Sequence, residues 1–498
     1  MKQAKRSLTV AVLCLLTLSL HAKDYQVASF GIYSDGIALN TRSIQFAIDY
    51  ININGGGRLI FHVGRYLAGS IYLKSNVTLQ LEEGAVLLGS LNPFDYDKNT
   101  FTAFVFAIDQ HDIKITGKGM IDGQGKEVAR NFINIIDKGF LKDPLLYGRP
   151  EAGVRPMNVY MRGCSNVEIQ NITLRNSASW NQTYDQCRHL TISHITVDNK
   201  AFWNEDGIDI VDCDSASVTN SYIDAADDAI CLKSHSPNFF CSNILINNNV
   251  LRSSANAVKF GTASLGGFKN VRIINNKVFD TYRSAIALEA VDGGFVENIE
   301  IDSLQVYNSG NAVFLRVGER RGEKTSRMNN ITIKNVYAEI AASKPDAGYQ
   351  YEGPVEDMPR NISPAIIIAG LANKKISGVT VTNVEIKHPG GANPHFAKVA
   401  LEALDSIPEI PDQYPDFSMF KELPAWAVYV RHATGLAFSN ITLTADKKDY
   451  RLPIVLDDVH NSRFTQIKAR QPLQQNVFYS NKSTEIIIDK GIKSVTSR

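Results

Sequence analysis

Residues 165–176 read SNVEIQNITLRN. The chain returns to that theme at 188–199 (RHLTISHITVDN), 216–224 (ASVTNSYID), 242–251 (SNILINNNVL), 269–280 (KNVRIINNKVFD), 297–308 (ENIEIDSLQVYN) and 329–340 (NNITIKNVYAEI). Each copy alternates apolar, often β-branched residues with polar ones and then breaks at Asn, Asp, Ser or Gly, the pattern of a short strand followed by a turn. Taking Asn166, His189, Ser217, Asn243, Asn270, Asn298 and Asn330 as equivalent gives a period of roughly 22 to 32 residues, the size of a solenoid repeat. A unit of that size cannot bury its apolar side alone, so successive units must stack. The period lacks helical spacing and the Leu or Trp-Asp signatures of other arrays. It predicts an all-β fold, a right-handed parallel β-helix (solenoid) with several short strands per coil. A β-propeller would need longer antiparallel blades joined by hairpins, and the sequence has no such pattern. The recurrent Asn fits, because Asn tolerates left-handed turn geometry and stacks in ladders where coils bend.

Upstream, residues 41–90 open with an amphipathic helix signal and pass through Gly55, Gly56 and Gly57 into strands. This predicts an N-terminal capping helix over the open end of the solenoid. Irregular stretches at 127–156 and 388–424 interrupt the rhythm, the second with six prolines; long insertions of this kind are surface loops that often wall a groove. No linker marks a second unit, so residues 23–498 read as a single β-helix domain. Residues 1–22 carry Lys2, Lys5 and Arg6, an apolar run from Leu8 to Leu20, and Ala22. That is the pattern of a signal peptide, and it predicts export to the periplasm or the cell exterior. No later segment has the length of a membrane span.

With 52 Lys+Arg against 51 Asp+Glu, a net charge of +1, no global field recruits nucleic acid or an anionic membrane, and neither is an expected partner. A monomer is expected. Setting aside Cys14 leaves five cysteines, Cys164, Cys187, Cys213, Cys231 and Cys241. An odd number with no CxxC pair indicates neither a zinc site nor a full disulfide framework; most should be buried as small hydrophobes, with Cys231–Cys241 the one pairing to consider.

The stretch AADDAICLKSH (225–235) sets Asp227 beside Asp228, and Asp206, in WNEDGIDI, lies one coil earlier in the chain. Coils stack about 4.8 Å apart, so three carboxylates would meet on one face. Adjacent residues on a straight strand point to opposite sides, so the backbone must bend at 227–228, and Ala225 and Ala226 leave room for that. Mutual repulsion would leave one protonated acid beside ionised partners. Glycoside hydrolysis asks for that arrangement: an acid for the leaving oxygen and a carboxylate acting on the other face of the sugar. Lys233 and His235 follow closely enough to touch sugar hydroxyls or a uronate. Trp180 and Trp203 could stack on sugar or fill core. Asp209, Asp212 and Asp214 are expected to cap turns.

At these residues the chain resembles glycoside hydrolase family 28, the polygalacturonase family of parallel β-helices. The resemblance runs through GKGMIDGQGK (117–126), RPMNVYMRGCSNVEIQNITLRNSASWNQ (155–182), NEDGIDI (204–210) and ADDAICLKS (226–234). Asn204-Glu205-Asp206 looks like the family's Asn-Thr-Asp motif with Glu for the middle Thr. The resemblance implies that Asp227 is the general acid and that Asp206 and Asp228 position and deprotonate the attacking water. Trp180 and Asn181 fall at the family's aromatic-Asn pair. Two motifs depart: the family's Gly-His-Gly falls near 253–261 with Asn256 at the His, and its Arg-Ile-Lys falls near 284–290 with Ala287, Leu288 and Glu289. In the family those Arg and Lys side chains grip a galacturonate carboxylate on the leaving side. Unless Lys259, Arg283 or Arg316 replaces them, that sugar is expected to be neutral, as in rhamnogalacturonan. The resemblance thus implies an inverting, exo-acting hydrolase of a pectic polysaccharide or its oligosaccharides, without cofactor or metal. The expected substrate contacts are Asn204, Trp180, Asn181, Lys233, His235, Asn256, Lys259 and Glu289. Two alternatives remain: a Ca²⁺-dependent β-helix polysaccharide lyase, for which Lys233 or Lys259 would supply the base, and a non-catalytic glycan-binding β-helix.

Overall fold

In the computed structural model, which describes residues 23–143, 151, 153–321, 325–343, 345, 359–471, 476–490, 492 and 494–496, the alternating segments pair with the next copy of themselves. The expected signal peptide, 1–22, lies outside the described residues. Each coil carries strands on three faces. Met157–Arg162, Ser165–Gln170 and Thr173–Arg175 form one coil, and Gln182–Asp185, Arg188–Ser193 and Thr196–Asn199 the next. Then come Ile208–Val211, Asp214–Thr219 and Tyr222–Ala225, followed by Ile230–Ser234, Cys241–Asn247 and Val250–Ser253. Each strand is hydrogen-bonded in parallel to its counterpart one coil on. The result is a right-handed parallel β-helix, the handedness that twisted strands impose on parallel connections. Inward residues such as Ile208, Ile210, Ile230 and Leu232 form an apolar stack fully withdrawn from water.

Two turn ladders explain the recurrent Asn. Asn243, Asn270, Asn298 and Asn330 all have φ between 55 and 57°, and the amides of Asn270, Asn298 and Asn330 each donate to the side-chain oxygen of the Asn one coil earlier (3.2, 3.1 and 2.7 Å). A second ladder joins Asn335, Asn383 and Asn440. The equivalence assumed above needs one correction. Asp214 pairs with Arg188 and with Ser242, so the left-handed residue in that coil is Ser215 (φ 60°), not Ser217. The ladder position therefore passes from His189 to Ser215 and on to Asn243. Ser shares with Asn a short polar side chain that bonds locally, which hid the shift. The cysteines follow the same register: Cys164, Cys187, Cys213 and Cys241 each precede one of the equivalent residues Ser165, Arg188, Asp214 and Ser242, and Cys187 N–H donates to Cys213 Sγ. All five described cysteines are buried and free, so Cys231 and Cys241 are not bonded. Cys241 belongs to this corner stack, whereas Cys231 sits on the outer side of its strand.

The capping helix is present as α1, Thr41–Ile53, which buries Ile44, Ala47, Ile48 and Ile51, a single stripe at helical spacing, against the first coil. The 127–156 stretch is not a loop throughout. It begins within a second helix, α2, Gly125–Asp137, whose Val128, Ala129 and Phe132 are buried. Among the described residues no helix is long and apolar enough to cross a membrane.

Candidate active site

The outward side chains of one face form a single ladder: Tyr72, Phe106, Tyr160, Thr183, Asp209, Cys231, Lys259, Ala287, Phe314, Ile367, Tyr429, Val455 and Tyr479. Only the middle rungs from Thr183 to Lys259 are not aromatic or aliphatic. On the N-terminal side, Phe101 and Trp180 cover Phe106 and Tyr160. On the C-terminal side, Leu404, Ile407, Phe417, Phe420 and Leu423 of the 388–424 insertion pack onto Ala287, Phe314, Ile367 and Tyr429. The face thus carries a short polar window between two apolar blocks, each covered by chain.

The turns entering this face bring the expected aspartates together. Gly207 N–H donates to Asp228 C=O (2.9 Å), and Ala229 N–H donates to Asn256 C=O (2.9 Å), so Asp206, Asp228 and Asn256 are stacked equivalents, each two residues before a strand. Asp227 is displaced sideways by the bend. Its N–H reaches Glu205 C=O, its Oδ1 accepts from Asp228 N–H (2.9 Å), and Ser253 Oγ donates to its C=O (2.6 Å). Asp206 and Asp228 are each 3% exposed, whereas Asp227 is half-buried.

Electrostatics then separate the carboxyls. Burial would raise Asp228, but Lys259 (3.3 Å), Lys233, the Asn256 amide (2.8 Å) and Arg283 outweigh it and hold Asp228 below the usual carboxylate range. Asp206 goes the other way: burial, then Asp209, Asp227 and Asp228, push it well up against the pull of Lys233. Asp209, 0% exposed, is also raised, chiefly by burial. Lys233 Nζ lies 2.9 Å from Asp206 Oδ2 and 2.7 Å from Asp209 Oδ1. Those carboxylates hold it charged despite its burial.

The other expected contacts divide. Asn256 is the clamp on Asp228, through both its N–H and its amide. Lys259 donates to Tyr414 Oη (2.6 Å), and Tyr414 comes from the 388–424 insertion. Glu289 is 1% exposed, its Oε2 meets no hydrogen-bond donor among the described residues, and burial pushes it up to about 8. Trp180 lies with its ring over Lys233 Nζ at 4.6 Å. His235 is exposed on one side yet pushed down to about 4, by desolvation and then by Lys233 and Arg321. Two expected contacts bond the protein's own chain. Asn181 is fully buried, its N–H donating to Asp206 C=O and its amide to Asn199. Asn204, in a left-handed turn (φ 50°), accepts from buried Arg155 Nη2 (3.2 Å), and that guanidinium also bonds Trp203 C=O. Asp212 caps a turn as expected, accepting from Ser234 Oγ and from the N–H groups of His235 and Ser236.

Asp209 is a correction, because it does not cap a turn but lies inside the charged cluster. Alternation of the strand, Ile208 and Ile210 in and Asp209 out, carried that signal. Of the three cations named as substitutes for the missing Arg and Lys, Arg283 reaches the site, 3.4 Å from Asp416 and in the field of Asp227 and Asp228, and so does Lys259. Arg316 does not; it bonds the carbonyls of Gly370, Glu409 and Ile410. Tyr414 and Asp416 were invisible in a proline-rich stretch without periodicity. The ligand atoms of Asp206, Asp228 and Cys231 lie within 4.8 Å of one another, and the Lys233 ammonium contacts two of them, Asp206 Oδ2 and Cys231 Sγ, each at 2.9 Å.

The family model of glycosyl hydrolases family 28 matches residues 61–402. The chain belongs to that family. Among curated proteins it is 28% identical over 251 residues to the exo-poly-α-D-galacturonosidase of Dickeya chrysanthemi, covering 42% of this chain and 41% of that one. It is 25% identical over 225 residues to exopolygalacturonase B of Aspergillus niger, covering 42% and 49%. The chain spans less than half the length of the curated relatives it matches. The family 28 exopolygalacturonase of Yersinia enterocolitica shares the fold, with a TM-score of 0.64 and 20% identity over 93% of this chain and 78% of that one.

Proposed function

We propose that this family 28 protein hydrolyses glycosidic bonds of galacturonate-containing pectic glycans with inversion, releasing product from a chain end. The observation that carries the reading is the convergence of Asp206, Asp227 and Asp228 in the polar window. Asp227, the most open of the three, donates a proton to the leaving oxygen. Asp228, held ionised by Lys259 and Asn256, accepts a proton from the water that attacks the anomeric carbon, and Asp206 helps to orient that water. The apolar blocks and the packed insertion support end-on action, since a groove closed beyond Lys259 leaves little room for a polymer to run through. Trp180, His235, Lys259 and Glu289 are proposed to line the sugar sites. The apolar and charged character of residues 1–22 supports export of the protein.

Digestion of oligogalacturonides and rhamnogalacturonan oligosaccharides in ¹⁸O-water, followed by mass spectrometry, tests this directly. Label in a new reducing end with short end products supports the reading, and the better substrate names the leaving sugar. Unlabelled products lighter by one water indicate a lyase, and binding without any product indicates a glycan-binding β-helix.

A further inference from the structure

The hydrolytic reading leaves two buried charges without a task, Lys233 and Asp209. We propose that Lys233 and Asp209 form a positioning pair that acts through Asp206, fixing both the direction of its carboxyl and the charge it carries when water is bound. This rests on the hydrolase reading above.

The geometry is specific. Lys233 and Asp209 stand on adjacent coils, and Val211 pairs directly with Lys233, so the lysine leans back across one rung toward Asp209 and the turn holding Asp206. Its ammonium is bracketed by Asp206 Oδ2 (2.9 Å), Asp209 Oδ1 (2.7 Å) and Cys231 Sγ (2.9 Å), under the Trp180 ring. The groups facing Asp206 are Lys233, Asp209, Asp227 and Asp228; those facing Lys233 are Asp206, Asp209, Cys231, Asp228 and, from the next turn, His235. Lys233 is the cation that contacts Asp206 among these. An ammonium held this way is a poor substrate ligand, because its donors are directed at protein groups and desolvation locks it there. It is well suited to setting a neighbour: it stabilises the ionised form of Asp206, while Asp209 opposes that form and keeps the ammonium aimed.

The two partners therefore push in opposite directions, which provides the test. In Lys233→Met, Asp206 loses its cation, its proton affinity rises, and the acid limb of the kcat/KM profile moves up by about one to three pH units. In Asp209→Asn, a like charge disappears at almost constant shape, and the acid limb moves down. A purely structural role lowers kcat in both variants with the limb at the wild-type pH, and that result overturns the proposal. Infrared difference spectra of ¹³C-Asp-labelled protein give a readout without substrate: the protonated-carboxyl band should persist to higher pH in Lys233→Met than in wild type. Unmoved bands in both variants also refute the pair, even if wild-type protein hydrolyses no glycan tested. Shifted bands with an inactive wild type refute the hydrolase reading alone. Lys233→Arg, which keeps the charge, should hold the limb near wild type and guards against misfolding of the Met variant.

Discussion

Replacing Lys259 by Met keeps most of the buried stem and removes one charge, isolating its effect on Asp228. At 3.3 Å and an effective dielectric of 20, the Lys259–Asp228 attraction is about 5 kcal/mol. Lys233 and Arg283 remain nearby, so the expected loss of stability near pH 7 is about 3 to 5 kcal/mol, the range for a buried pair with one partner removed. The sign with pH follows from Asp228. In the folded wild type its pKa is depressed, so it contributes stability above the unfolded value of about 4 and loses that contribution as pH falls through the folded value. In Lys259→Met the folded pKa rises instead, and Asp228 takes up a proton in mild acid. The deficit should therefore be full at pH 7 and shrink toward pH 4. Urea midpoints for both proteins across that range measure it. Equal midpoint losses at pH 7 and pH 4 would refute the assignment of Asp228 as the carboxylate that Lys259 keeps ionised.

Asp227→Asn should lower kcat by about 10²- to 10⁴-fold while leaving oligosaccharide affinity by calorimetry within a few-fold. Replacing Phe417 and Phe420, both 3% exposed on the inner side of the insertion, by Ser should undock the wall and shift products from short end fragments to longer oligosaccharides, read by chromatography. Asn270→Ala breaks ladder bonds on both sides and puts at φ 56° a residue without the short polar side chain that lets Asn tolerate that conformation, for about 1 to 2 kcal/mol; Asn270→Gly, relieved of the left-handed strain, should lose less than half of that in the same denaturation assay.

The coil and its turns are local properties, and they were legible in the sequence. Strand alternation and the Asn, His and Ser breaks recur once per coil, so period, parallel stacking and the Asn ladders could be read directly. The one-coil offset between Asp206 and Asp228 then placed two carboxylates on one corner, because a solenoid turns sequence distance into coil number. What failed was the register of one coil, where a small polar residue two positions away mimicked the signal, Ser217 for Ser215, and the reading of Asp209 as a turn cap. Tertiary structure alone decided the rest. Tyr414 and Asp416 meet Lys259 and Arg283 from several coils further along the chain, through an insertion whose path has no period to extrapolate. Burial raises both Asp206 and Asp228, and the cations that arrive beside each carboxyl decide that Asp228 ends low and Asp206 high. Periodicity specifies neighbours one coil apart, but the charge state of a buried acid is set by everything within a few ångströms, whatever its place in the chain.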